Sequence, residues 1–126
     1  MIHGIGIDIL GYDRMEWLDG KWDEPFIVRV FTPAEREAAL ASSNPLIYFT
    51  LRFSAKEAVF KAMRMDSDSA RLDEIEVLDD ELGRPCCTLY GSMDERARSY
   101  GERYRFEVSL SYEANVAVAV AILEVE

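Results

Sequence analysis

Apolar and polar residues alternate at both ends of the chain, and apolar residues recur at helical spacing through its middle. From Ile2 to Leu10 a strand is predicted, with Ile5, Ile7 and Ile9 pointing one way and Gly4, Gly6, Asp8 and Leu10 the other. Glycine inside a strand costs stability and marks close approach of another backbone or a ligand. Towards the other end, Tyr104, Phe106, Val108, Leu110 and Tyr112 alternate with Arg105, Glu107, Ser109 and Ser111, which predicts a one-sided strand. After the Glu113-Ala114-Asn115 turn, Val116 to Leu123 is apolar on both faces, as expected for the central strand of a covered sheet.

Between these strands, Thr32-Pro33-Ala34-Glu35 is a capping box with proline at the first helical position, so a helix runs from Pro33 to about Ala41 and Glu35 reads as the reciprocal cap. Asn44 caps a second and longer helix, from Pro45 to about Met63. Gly11 to Trp22 is irregular, a short helix or turn that carries Arg14 outward, and Phe26 to Phe31 is a short apolar segment. Met63 to Ser69 is a polar loop; Ile75 to Leu78 and Cys86 to Tyr90 bracket a hairpin; Ser92 with Glu95 predicts a further capping box, opening a short helix that Gly101 ends. These elements add up to an α+β fold, a single domain over residues 1–126 with an antiparallel sheet packed on helices to one side.

The chemistry concentrates on the long helix. In Arg52-Phe53-Ser54-Ala55-Lys56-Glu57-Ala58-Val59-Phe60-Lys61-Ala62, residues Ala55, Ala58, Val59 and Ala62 form one small-residue side. Phe53, Lys56, Glu57 and Phe60 lie opposite, with Lys61 at the margin, so Glu57 projects between two phenylalanines. That is a poor place for a carboxylate unless a cation meets it. A plainer account is a Glu57 to Lys61 ion pair one turn apart. If the alanine side lies over Gly4 and Gly6, Asp8 and Glu57 converge; otherwise Asp8 is a strand-ending carboxylate that caps the next turn.

Composition narrows the field. The chain has 126 residues, 49% hydrophobic and 30% charged, and no apolar run long enough to span a membrane. Met1 to Gly6 lacks the features of a signal peptide, so a cytoplasmic location is expected. A net charge of −10 disfavours nucleic acid as a partner. His3 is the only histidine, which nearly excludes His-rich zinc sites and Ser-His-Asp triads. Cys86 and Cys87 are adjacent in a strand-like run and read as reduced thiols rather than a disulfide. Any metal should therefore be bound by oxygen. Asp8 and Glu57 suit Mg²⁺, which takes one or two carboxylates and completes its shell with water and substrate phosphates, and Lys61 would face those phosphates.

Gly4-Ile5-Gly6-Ile7-Asp8-Ile9, the stretch Arg52 to Ala62 and Ser109-Leu110-Ser111 together resemble the holo-acyl-carrier-protein synthase family of 4'-phosphopantetheinyl transferases. Thr32 to Arg36, Ile75-Glu76-Val77 and Gly83-Arg84-Pro85 match in order, so the resemblance covers essentially the whole chain. It implies a phosphopantetheinyl transferase-like fold and Mg²⁺-dependent transfer of 4'-phosphopantetheine from coenzyme A to a serine of apo acyl carrier protein, with release of adenosine 3',5'-bisphosphate. It further implies a homotrimer with coenzyme A in clefts between subunits. By position, Asp8 and Glu57 match the Mg²⁺ carboxylates and Lys61 the lysine near the pyrophosphate, the three forming the catalytic set. Lys61, Arg64, Ser111 and Tyr112 fall at coenzyme A positions, and Arg14 at a basic position that meets the carrier protein.

The serine proton has three candidate acceptors, a water on the metal, Glu57 after reorientation, or Glu35 through a water. Two departures from the family pattern stand out. Tyr112 occupies the place of a histidine and cannot carry its positive charge, and Met63 to Ser69 replaces a glycine-rich turn. Both fit an alternative reading, a binding module for coenzyme A or a carrier protein without catalysis, while the acidic surface fits a second, a different Mg²⁺-dependent enzyme acting on a nucleotide or pyrophosphate with no carrier protein.

Overall fold

The computed structural model describes residues 1–126. Its sheet is built from β1 (Ile2–Gly11), β4 (Tyr104–Glu113) and β5 (Val116–Val125), antiparallel throughout, with β5 in the middle. A hairpin of β2 (Ile75–Asp79) and β3 (Pro85–Leu89) forms a separate two-stranded sheet. The single expected sheet is thus two, the hairpin strands being short and paired only with each other. Helices α1 (Pro25–Val30), α2 (Pro33–Ala41), α3 (Pro45–Ala62) and α4 (Gly91–Arg98) complete the fold.

Helix α3 is the spine of the molecule. Asn44 caps it, its side-chain oxygen accepting the Ile47 N–H at 3.1 Å. Its alanine side presses on the inner face of the sheet, where β5 contributes Ala117, Ala119, Ala121 and Leu123, all buried. The glycines of β1 make that approach possible: a Cβ on Gly4 would fall on the carbonyl oxygen of Ala62, and one on Gly6 on that of Ala58. Because those obstacles are helix backbone, Gly6→Ala should force α3 off the sheet and destabilise the protein by about 3 kcal/mol, the upper end of ordinary overpacking, which a denaturant melt measures.

One segment of unassigned structure is resolved and two local expectations are corrected. Phe26 to Phe31 is mostly helix α1, started by Pro25 and by the Glu24 carboxylate, which accepts the Phe26 N–H at 2.6 Å; an apolar run alone cannot tell helix from strand. The Ser92–Glu95 capping box does not form. Helix α4 begins two residues earlier, at Gly91 rather than Met93, and Glu74 serves its first turn instead, accepting the Ser92 hydroxyl and, at 3.2 Å, the Met93 N–H. Gly101 does not end that helix, which stops at Arg98; its missing side chain leaves room for the backbone of Glu126.

The outer face of the sheet has no helix over it. Ile5, Ile7 and Ile9 are 63%, 62% and 71% exposed. They pair in register with Ile122, Val120 and Val118 of β5, which gives the face a continuous apolar row. No helix is long and apolar enough to cross a membrane.

Candidate active site

The close packing of α3 on β1 decides where the charged residues meet. Ser54, one helical turn before Ala58, lies over the end of β1, and its hydroxyl donates to Asp8 Oδ2 at 2.9 Å. Lys61 Nζ lies 3.2 Å from the other oxygen, Asp8 Oδ1, and donates to the Ile7 carbonyl at 3.1 Å. Each Asp8 oxygen thus has one donor, a fully buried hydroxyl on the inside and a half-exposed ammonium on the outside.

The Glu57–Lys61 ion pair of the plainer account is not made, because Lys61 turns to Asp8. Glu57 is half-buried and takes part in no hydrogen bond or ion pair. Burial pushes its carboxyl pKa up, the charge of Asp8 adds to this, and Lys61 opposes it. Since the folded-state value lies above the ordinary 4.5, the folded chain holds more protons than the unfolded one in that window, and this group's contribution to stability falls as pH rises. Glu57→Gln should therefore raise the melting temperature of the free protein at about pH 8, with a smaller gain at about pH 5.

Lys56 and Glu57, adjacent in sequence, meet opposite fates. Lys56 is fully buried, 2.7 Å from Glu35, and donates to the carbonyls of Leu72, at 2.8 Å, and Ile75. Burial pushes the ammonium pKa down, against the pull of Glu35. Glu35 is equally buried: Oε1 accepts the Thr32 N–H at 2.9 Å, completing the capping box, and Oε2 accepts the Val77 N–H at 2.8 Å. With both oxygens engaged and no exposure, Glu35 is not available as a base, even through a water.

The remaining sequence candidates lie elsewhere. Arg64 follows α3 with φ of 58°, a left-handed conformation that glycine adopts more easily, and its side chain is exposed. Tyr112 is on the inner face of β4, opposite Ala117; its hydroxyl is buried without a partner, and burial pushes its pKa up. Ser111 points out from the other face and is exposed. Neither joins Asp8, on the far edge strand, within one chain. Arg14 is exposed at the end of a 3-10 turn that continues from β1.

A residue without an assigned role in the sequence reading proves prominent. Arg52 is only 3% exposed; its Nη2 is 2.8 Å from Asp79, its guanidinium lies 4.3 Å from the centre of the Tyr48 ring, and its Nε has no partner. It lines an open cleft of about 520 Å³ with Gly83, Arg84, Pro85 and Ser109, at the β4 edge of the sheet. An arginine heading a helical motif of buried residues was the available signal. Asp79 and Tyr48 thus hold the guanidinium at the cleft wall, with its Nε sealed from solvent.

A glycine strand under an alanine helix brings two carboxylates and one lysine together at one strand edge, with an arginine cleft at the opposite edge, an arrangement suited to a cation and a phosphate-bearing substrate. The matching family model, the 4'-phosphopantetheinyl transferase superfamily, spans residues 4–121, and the chain belongs to that superfamily. Its relatives include the holo-[acyl-carrier-protein] synthase of Syntrophus aciditrophicus, 42% identical over 98% of this chain and 97% of that protein. The Solidesulfovibrio magneticus protein of the same name is 38% identical over 98% and 99%. Among solved structures, the Neisseria meningitidis holo-[acyl-carrier-protein] synthase superposes with a TM-score of 0.86 at 29% identity, covering 98% of this chain and 99% of that one. The Bacillus anthracis synthase in complex with CoA (3',5'-ADP) gives 0.79 at 29% identity, covering 100% and 99%.

Proposed function

We propose that the chain transfers 4'-phosphopantetheine from coenzyme A to a serine hydroxyl of an apo acyl carrier protein, releasing adenosine 3',5'-bisphosphate. The observation that carries this reading is the meeting of Asp8, Glu57 and Lys61 at the β1 edge in a chain that matches the superfamily over nearly its whole length.

The donor set fits Mg²⁺. Nowhere do three or more His, Cys, Asp or Glu side chains gather, so the protein offers two carboxylates, Asp8 and Glu57, and leaves the rest of a coordination shell to water and substrate. A half-buried Glu57 whose charge is disfavoured also gains from a cation beside it. Bound there, Mg²⁺ would offset charge that develops on the leaving phosphate. Lys61 supplies a second positive charge for the pyrophosphate, and Ser54 fixes the Asp8 carboxylate. With Glu35 sealed in the core, Glu57, once it turns away from the cation, is the protein's own candidate acceptor for the serine proton.

Arg52 and Arg84 give the nucleotide phosphates of coenzyme A a cleft. That cleft and the carboxylates sit at opposite edges of one sheet, with exposed isoleucines on the face between them. A homotrimer in which the β1 edge of one subunit meets the β4 edge of the next would complete the site, and Ser111, which points outward, would then face the neighbour. Ile9→Glu should accordingly give a folded monomer by sedimentation, with transfer reduced about a hundredfold or more through misplaced substrate. Arg14 contacts the carrier protein and exposed Arg64 the coenzyme A phosphates. The chain is placed in the cytoplasm, where its free Cys86 and Cys87 stay reduced; burial pushes the Cys87 thiol up to about 12, which leaves it inert.

The reading is tested by following adenosine 3',5'-bisphosphate. Its release should require coenzyme A, Mg²⁺ and apo carrier together; release without a carrier would mark a pyrophosphate hydrolase instead.

A further inference from the structure

Two donors hold Asp8, and they are not equivalent. Ser54 is fully buried on α3 and its hydroxyl is fixed on Oδ2 at 2.9 Å. Lys61 reaches Oδ1 at 3.2 Å with a side chain 46% exposed, an ammonium on a flexible four-carbon stem. The outward oxygen of Asp8, the one a cation from solvent would approach, is already occupied by a cation that belongs to the chain.

We infer that Lys61 is a resident counter-ion for Asp8 that makes metal and coenzyme A bind together rather than independently, an inference that rests on the metal role given above to Asp8 and Glu57. The charges facing this point are Asp8, Glu57 and Lys61, two negative and one positive. A divalent cation arriving alone displaces the ammonium from Oδ1 yet leaves it close by, so the cluster becomes net positive and like charges repel. Coenzyme A changes this balance. Its pyrophosphate offers Lys61 another anion within reach of its stem, freeing Oδ1, and brings negative charge that the cation can share. Ser54 keeps the Asp8 carboxylate in place during the exchange, since its bond to Oδ2 is independent of Lys61. The two ligands therefore raise each other's affinity, and by linkage the factor is the same in both directions.

The test uses Mn²⁺ as a paramagnetic probe, its free concentration read by electron paramagnetic resonance. The full chain, Lys61→Met and Lys61→Arg are titrated without coenzyme A and with saturating coenzyme A, in the absence of carrier so that nothing turns over. The wild type and Lys61→Arg should bind Mn²⁺ weakly alone, and coenzyme A should tighten binding by about tenfold or more, the common range of coupling. Lys61→Met should bind Mn²⁺ about tenfold tighter than wild type without coenzyme A and gain less from it. Equal affinity of Lys61→Met and wild type without coenzyme A overturns the counter-ion role and leaves the metal site standing. No Mn²⁺ binding by any of the three, even with coenzyme A, overturns the metal role itself and the inference with it.

Discussion

Replacing Asp8 or Glu57 with alanine is expected to lower phosphopantetheine transfer about a thousandfold, because either change removes half of the protein's ligands for a cation whose charge stabilisation is worth several kcal/mol. The fold should survive both. Asp8→Ala leaves the Ser54 hydroxyl with only the Asp8 carbonyl, 3.4 Å away, at a cost of about 1 kcal/mol. Glu57→Ala removes a carboxylate that makes no bond in the free protein and whose charge is disfavoured there. Steady-state transfer rates, set beside melting curves of the same samples, check both statements. Wild-type rates in both variants would remove the metal assignment; lost activity with a collapsed melting curve would point to a structural role instead.

The second large effect is on stability. Glu35→Ala is expected to cost about 3–5 kcal/mol, the range for breaking a buried ion pair, out of a total that for most domains is about 5–15 kcal/mol. The loss is threefold. The Lys56 ammonium is left without its counter-ion in the core, and the N–H groups of Thr32 and Val77 lose their acceptors. Glu35 thereby ties together the start of α2, the middle of α3 and strand β2, which no apolar residue of the same volume would do. Adding Lys56→Met should recover the part due to the stranded charge but not the part due to the backbone donors. Urea titration of the two variants separates these contributions. A double variant as stable as wild type would show that the backbone donors find other partners, and a single variant as stable as wild type would remove the ion pair's structural role.

Much of the scaffold was legible because backbone sterics leave few options. Two glycines on one face of a strand and alanines on one side of a helix can satisfy each other by close packing, and they do so at Gly4, Gly6, Ala58 and Ala62. That contact is what carries Asp8 to α3. The alternation in β4 likewise translates into one face turned to the core, and the two-sided apolar character of β5 into the central strand, although no helix covers its outer face. Alternation also held information about Ser111, which shares its face with Ser109 and Arg105 rather than with Tyr112 and the α3 side.

What stayed hidden depends on partners distant in sequence. Nothing local distinguishes Lys56 from Glu57 as the buried member of the pair; that is decided by Glu35, supplied by α2. The Glu57–Lys61 pair was a sound local expectation, defeated because Asp8 lies closer to the ammonium. Helix α4 takes its first-turn acceptor from Glu74 instead of from its own Ser92 and Glu95 box. Arg52 could be read as part of a motif, but its sealed Nε and its cleft exist only once β3 and β4 are placed beside it.

The central claim, that this chain loads carrier proteins from coenzyme A, is tested most directly by the mass of the carrier. Apo acyl carrier protein from the same genome, incubated with the chain, Mg²⁺ and coenzyme A, should gain one phosphopantetheine group on a serine, and the gain should vanish with Asp8→Ala. An unchanged carrier mass, under conditions where an established transferase modifies the same carrier, would contradict it.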